Sequence, residues 1–519
     1  MLPSRSTVRP SIALALILCL AGCRPSASTA TPTEHESIDE ASGAAARWSY
    51  QIGVDERLER MQLSLCMEGQ LPRRLTAGRE AIHFVTDARV RGGPELQRDG
   101  RTLAITTLGE HGCVDIEIDL ARASASGRDS SRRGDTLMLA PDRWLWYPAQ
   151  IPERLEARAR FELPEAVAAT VPWPHVDADD RSGWRQLDRT SFGWNAWIAL
   201  GRYRPIEFEA AQCEFEVAVL DGDRAASDAG IEAWLRTAAE TVAQLYGRFP
   251  RERVAIVVVP SPSWGTTPVL FGMARRGGGG SVMLLLNEAV DDPALPGEWV
   301  AIHELLHLGM PLIAEPWMSE GFVTYYTHVL RARRGLLDRG GASASETPLE
   351  HQSRAALEIL HVGFDDRPGA RSLAAASETM HQLGNYRRVY WGGAALAFDL
   401  DVRIRSASNN HRSLDDLMLA IRPLAPERRR FAADDLLAQM DEQLARWHEA
   451  GLLDREISCS SIAALHLRSR AIPTDVQQLR GIAVEAESGR IRLLADPIDE
   501  AQIRTGLFAP KIDEGLEPQ

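Results

Sequence analysis

Between about residues 46 and 224, apolar and polar side chains alternate. Val114, Ile116, Ile118 and Leu120 are interleaved with Asp115, Glu117 and Asp119, and Cys213, Phe215, Val217 and Val219 with Glu214, Glu216 and Ala218. A period of two puts successive side chains on opposite faces of a strand, so these read as half-buried strands. Glycine and proline break the stretch at short intervals, which predicts a β-sandwich-like domain. Trp144, Trp146, Tyr147, Trp173, Trp184, Trp194 and Trp197 are concentrated here. Large rings of this kind fill cores, so packing rather than a ligand platform is expected of them.

From Ser227 the period changes. Ile231, Trp234, Leu235, Ala238, Val242 and Leu245 form one apolar stripe at helical spacing, with Ser227 or Asp228 as the cap. Residues 253–259 and 281–286 read as strands, separated by Phe271-Gly272-Met273-Ala274-Arg275-Arg276 and a glycine run at 277–280. That run lacks the Lys-Ser/Thr ending of a phosphate loop, which excludes nucleotide binding. It reads either as a floppy turn or as part of a substrate-binding edge, where glycine lets a peptide backbone come close. Residues 336–376 read as a Gly-, Ser- and Ala-rich surface connector with a short helical piece at 357–364. A helix follows Tyr390 to about residue 405. Helical spacing returns from 414 to 453, interrupted by Pro423 and Pro426. A hairpin is expected over 482–494, turning at Ser488-Gly489.

The chemistry is concentrated in His303-Glu304-Leu305-Leu306-His307 and the later Trp317-Met318-Ser319-Glu320-Gly321. Histidines four apart lie on one helix face, so both imidazoles reach one metal ion. Catalytic zinc takes three protein ligands and keeps a position open for water. Glu320, on the next helix, is the candidate third ligand, with Ser319 as a possible cap and Pro316 just before it. Pro311 ends the first helix. Glu304, one residue along from His303, is placed to act as general base.

These blocks resemble the gluzincin metallopeptidases, where HExxH is followed by a helix beginning (W/L)-x-x-E-G. Val389-Tyr390-Trp391-Gly392-Gly393-Ala394-Ala395-Leu396 is similar to the segment that carries that family's transition-state tyrosine. With Ser377-Glu378-Thr379-Met380-His381 and Asp399–Arg405, the run looks most like the glycyl-aminopeptidase branch. The resemblance covers about residues 45 to 450. It implies Zn2+ on His303, His307 and Glu320, Glu304 as base and Tyr390 donating to the oxyanion. It also implies a β-domain ahead of a thermolysin-like, mainly helical catalytic domain with a small edge sheet. Tyr386 competes with Tyr390 as donor, and His381 is a further candidate, read first as a structural histidine. The edge strand implies a substrate-binding role for Gly272, Met273 and Ala274. Here the chain departs from its relatives: Ala274 stands where the family has a glutamate that grips the substrate's free amino group. The gap from His307 to Glu320 is also shorter.

The N-terminus reads as an export signal. Arg5 and Arg9 precede a short apolar core at 12–20, and Leu20-Ala21-Gly22-Cys23 resembles a lipobox. Cys23 is therefore the expected lipidation site, and Arg24 after it, in place of an aspartate, implies by resemblance to lipoprotein sorting an outer membrane facing the periplasm. Residues 24–45 hold almost no large apolar side chain and read as a tether. Net charge is −14, with no basic cluster interleaved with aromatics, so nucleic acid is not an expected partner. A single lysine, Lys511, occurs among 58 basic residues, and no local feature explains it. After Cys19 and Cys23, four cysteines remain: Cys66, Cys113, Cys213 and Cys459. Outside the cytosol they allow two disulfides, and Cys66 with Cys113, both on expected strands, is the preferred pair; four buried thiols are the other reading.

The expected division is a signal at 1–22, tether at 23–45, β-rich domain at 46–224, catalytic domain at 225–405, helical subdomain at 406–458 and a tail at 459–519. Together these features describe an α+β multidomain, lipid-anchored zinc peptidase acting on a peptide or protein substrate at the bacterial envelope. Two other readings use the same residues. One is a catalytically inactive envelope binding module. The other is a true aminopeptidase that recruits another acid, such as Glu298 or Asp291, for the amino terminus.

Overall fold

The computed structural model describes residues 46–510, apart from 70–71, 106–110, 126, 128, 177–182, 264, 338–345, 366–370, 426–428, 474–481, 485–490 and 495–497. The expected signal, Cys23 and the tether lie outside the described residues. The chain divides into two compact units. Among the described residues, one holds 46–232 and 251–291, and the other holds 233–250 and 292–510.

The first unit is built from sheets. Strands β1 (Ala46–Val54), β2 (Arg60–Glu68), β3 (Val85–Val90), β4 (His111–Asp119), β5 (Leu155–Glu162) and β6 (Arg185–Leu187) form one sheet in the order β6-β5-β1-β2-β4-β3. Two four-stranded sheets accompany it, and one core, including Trp48, Leu75, Val114, Leu137, Trp144 and Leu200, draws on all three. The period-two reading holds along His111–Asp119. It does not hold along Cys213–Val219, where Glu216 and Ala218 are buried as well, because that strand pairs into a sheet covered on both faces. Leu120 opens a short helix instead of ending the strand. Val114 and Ile116 point into the core opposite Leu65 and Leu63, while Asp115 points outward and accepts from Ser64. Cys66 stands directly opposite Cys113 on that outer side, and the two form a disulfide with Cα atoms 4.0 Å apart. Cys213 and Cys459 are buried free thiols. Trp144, Trp146, Trp173 and Trp197 are buried, as expected of packing residues.

A further sheet runs β7-β8-β9-β11-β10, from β7 (Ile206–Ala210), β8 (Cys213–Val219), β9 (Arg253–Ser261), β10 (Val269–Arg275) and β11 (Gly280–Asn287). Its parallel central strands are buried on both faces, which explains the unbroken run Val254 to Val259. The sheet crosses the expected boundary at 224/225, and Arg251–Asp291 groups with the β-rich unit through it.

The glycine run joining β10 to β11 is not a floppy turn. The Gly277 amide donates to the Asn195 carbonyl and the Gly278 amide to Thr190 Oγ1. A Cβ on Gly278, at φ +75°, would lie 2.3 Å from Ser191 Oγ and 2.5 Å from the Trp173 ring. Glycine is needed here because the backbone is docked against its own unit.

The second unit is helical. Helix α1 (Asp228–Tyr246) leads into it, with Ser227 Oγ accepting from the Gly230 amide as the cap. Then come α2 (Val300–His307), α3 (Pro316–Arg333), α4 (Pro348–Phe364), α5 (Tyr386–Ala407), α6 (Leu414–Ile421), α7 (Ala433–Glu449), α8 (Cys459–Arg468) and α9 (Ile498–Phe508). Helix α4 is twice the length expected, because Thr347 and Glu350 form a capping box that starts it earlier. The strands Ile482–Val484 and Ile491–Leu493 pair antiparallel as expected, while the turn at Ser488-Gly489 lies outside the described residues.

Buried charge ties α3, α5 and α6 together. Arg333 pairs with Asp415 at 2.8 Å, and Arg405 with Asp401 at 3.0 Å. Asp401 also accepts from the Tyr325 hydroxyl and the Leu414 amide. No helix among the described residues is long and apolar enough to cross a membrane.

Candidate metal centre

Helix α2 begins where the buried Glu298 carboxylate accepts from the amides of Val300 and Ala301, and it ends at His307. The chain turns through Pro311 and re-enters at α3, whose first residue is Pro316 with Glu315 as the N-cap position. Ser319, expected as the cap, lies inside the first turn instead; proline, with its φ already helical, starts the helix four residues earlier, at Pro316. Glu320 therefore sits in the second turn.

Helices α3 and α5 approach through glycine. A Cβ on Gly321 would lie 2.3 Å from Gly393 Cα, and one on Gly393 would lie 1.9 Å from the Trp317 carbonyl oxygen. Gly321 follows Glu320, and Gly393 is one turn beyond Tyr390, so this crossing brings Glu320 and Tyr390 together. Tyr390 lies within α5 rather than at its start. Its ring stacks on His303, with centroids 5.8 Å apart and planes 3° from parallel.

His303 Nε2 and His307 Nε2 lie 3.4 and 3.3 Å from Glu320 Oε2. The three ligand atoms all fall within 4.8 Å of one another. Tetrahedral zinc with bonds of about 2.0–2.1 Å sets its ligand atoms roughly 3.3–3.4 Å apart, so the donor set and its spacing fit that ion. Burial raises the Glu320 carboxyl pKa, but the charges and hydrogen bonds of His307 and His303 overcome this and hold it well below the usual range. The Trp299 ring meets His303 edge-on, at 5.8 Å. Glu304 is 9% exposed on the same helix.

His381 Nδ1 lies 3.3 Å from the Tyr386 hydroxyl, which gives both a partner, in keeping with a structural histidine. Burial lowers the His381 pKa, and the Glu320 charge acts against that shift. Glu298, considered above for the substrate's amino group, is engaged by the first turn of α2; Asp291 is exposed and belongs to the other unit. Gly272, Met273 and Ala274 lie on β10, the last strand of its sheet, and the Met273 carbonyl accepts from Trp197 Nε1. Arg275 is taken up by an ion pair with Asp129 and by stacking on Trp197. One residue escaped the sequence reading: Thr327, buried on α3, whose Oγ1 lies 3.4 Å from His303 Nδ1. Its only signal is its place two helical turns after Glu320.

No known family model matches the chain, nor does any curated protein. Solved structures do resemble it. An aminopeptidase N family protein from Idiomarina loihiensis superposes with a TM-score of 0.60 at 15% identity, over 84% of this chain and 79% of that one. A two-domain M1 zinc metallopeptidase bound to L-tryptophan gives 0.50 at 14% identity, over 83% and 96%. An M1 zinc metallopeptidase from Deinococcus radiodurans, bound to a Tyr-Ser-Ala substrate, gives 0.49 at 14%, over 83% and 96%. The chain has the α+β, multidomain fold of the aminopeptidase N-like zinc metallopeptidases. At such identities the likeness speaks for the fold alone.

Proposed function

We propose that this chain is a zinc-dependent peptidase that hydrolyses peptide bonds at the cell envelope. The observation that carries the reading is the convergence of His303, His307 and Glu320 at the spacing of a tetrahedral ion, on a fold shared with an aminopeptidase N family protein. Zinc bound there supplies Lewis acidity and a water whose pKa falls toward ~7. Glu304, beside His303 and largely shielded from solvent, takes the proton of the attacking water and passes it to the leaving amine. The Tyr390 hydroxyl donates to the carbonyl oxygen as negative charge grows on it, and the stack on His303 holds the ring in place. A substrate strand adds to β10 along Gly272, Met273 and Ala274. Ala274 offers no charge to an ammonium group, which favours substrates without a free amino terminus.

Cys23 carries the lipid anchor, and residues 24–45 tether the enzyme to a membrane surface facing the periplasm. The Cys66–Cys113 disulfide supports an oxidising compartment. A digestion of a mixed peptide library, read by mass spectrometry with and without a chelator, tests the activity. New termini that vanish with chelator, and with Glu304→Gln, are the expected result. A zinc-loaded protein that cuts nothing would contradict it and leave an envelope binding module.

A further inference from the structure

We infer that Thr327 is a positioning residue that fixes the tautomer of His303 and thereby sets how tightly the centre holds its metal. The inference rests on the ligand set proposed above. A histidine can offer Nε2 to a metal as a neutral ring only if Nδ1 carries the proton. That proton needs an acceptor, because His303 is 3% exposed and solvent does not supply one. Thr327 Oγ1 stands 3.4 Å from His303 Nδ1. The same oxygen donates its only proton to the Val323 carbonyl, at 2.7 Å. With that proton spent, the hydroxyl can only accept from the imidazole. Thr327 is itself fully buried, so the arrangement has no water to take its place.

Helix α3 thus grips His303 from both sides, with Glu320 facing Nε2 and Thr327 facing Nδ1 two turns later. The usual acceptors behind a metal-bound histidine are a carboxylate, a backbone carbonyl or water. A hydroxyl carries no charge, so it orients the ring without adding negative charge to a centre that already has Glu320. Thr324, between them, donates instead to the Glu320 backbone carbonyl.

The test is zinc affinity, measured by competition with a chelator of known strength on the full chain. Thr327→Val keeps the shape and removes the acceptor, and it should weaken zinc binding about 10–100-fold. Thr327→Ser restores the hydroxyl and most of the affinity. Thr327→Val binding zinc as tightly as the wild type would overturn the inference, provided His303→Ala loses the metal. If His303→Ala also kept it, the ligand set itself would be at fault. Should the valine variant fail to fold, a long-range proton–nitrogen correlation spectrum of the histidine-labelled, metal-free wild type decides, because there only the protein's own hydrogen bonds choose the tautomer. His303 protonated at Nδ1 is the expected result, and a bare Nδ1 would overturn it.

Discussion

Gly393 of α5 meets the backbone of α3 so closely that a methyl group there would lie 1.9 Å from the Trp317 carbonyl oxygen and 2.7 Å from Gly321 Cα. Backbone atoms cannot swing aside as a side chain can. Gly393→Ala should therefore force the helices apart and carry Tyr390 away from Glu320. The expected cost is about 1–3 kcal/mol of stability, from overpacking. Activity should fall about 100-fold, because a displacement near 1 Å costs that much at a reacting centre. Thermal unfolding and turnover of the purified variant check both. Wild-type values in the alanine variant would mean that the contact does not set the spacing.

Glu304→Gln removes a base without removing a ligand. It should keep its zinc and lose about 100- to 10,000-fold in turnover. Tyr390→Phe should lower kcat by about 100- to 1,000-fold, the range seen for one oxyanion donor, with little change in KM. Steady-state kinetics on a cleaved peptide, beside metal analysis, separate the two roles. Turnover unaffected by either change would place the base or the donor elsewhere, with Tyr386 the next donor to test.

Ala274 gives a prediction about substrates. Peptides with an acetylated amino terminus should be cleaved at least as fast as the same peptides with a free amine. Paired kinetic assays on such substrates decide it. A strict demand for the free amine would show that some other acid binds it.

Glu298 gives a prediction about pH. Burial pushes its carboxyl up to about 7, against the opposing pull of the Val300 and Ala301 amides and of Arg331. A carboxyl with a raised pKa favours the folded state most when both states are protonated, below the ordinary value of 4.5. That contribution is lost as pH rises through about 7, because the unfolded chain releases the proton earlier. Glu298→Gln cannot titrate. Relative to the variant, the wild type should lose up to roughly 3 kcal/mol between pH 4.5 and 8. Denaturant unfolding of both proteins across that window measures the difference. A constant gap would show that Glu298 does not titrate there.

Much of the centre could be read from local spacing. The step of four from His303 to His307 is a helix-face signature, and Glu320 follows within a short turn, so the three side chains that converge are legible in the sequence. The strand alternation around Val114 was equally plain, because one face is buried and the other is wet. Features set by distant contacts were not visible. The glycines at 277–280 read either as a floppy turn or as a substrate-binding edge, and what shapes them, Trp173, Ser191 and Asn195, lies far away in the chain. Helix α4 reads short in the sequence because Ser353, Ala355 and Ala356 dilute its apolar period, and its start is set by the Thr347–Glu350 capping box. Thr327 has only its spacing from Glu320 as a signal, and an internal helical threonine looks like any other until its neighbour is known.

Zinc content is the most direct measurement. The wild-type protein, dialysed against metal-free buffer and analysed by mass spectrometry, should retain one zinc per chain, while His303→Ala and Glu320→Ala retain almost none. Equal zinc in all three proteins would contradict the account.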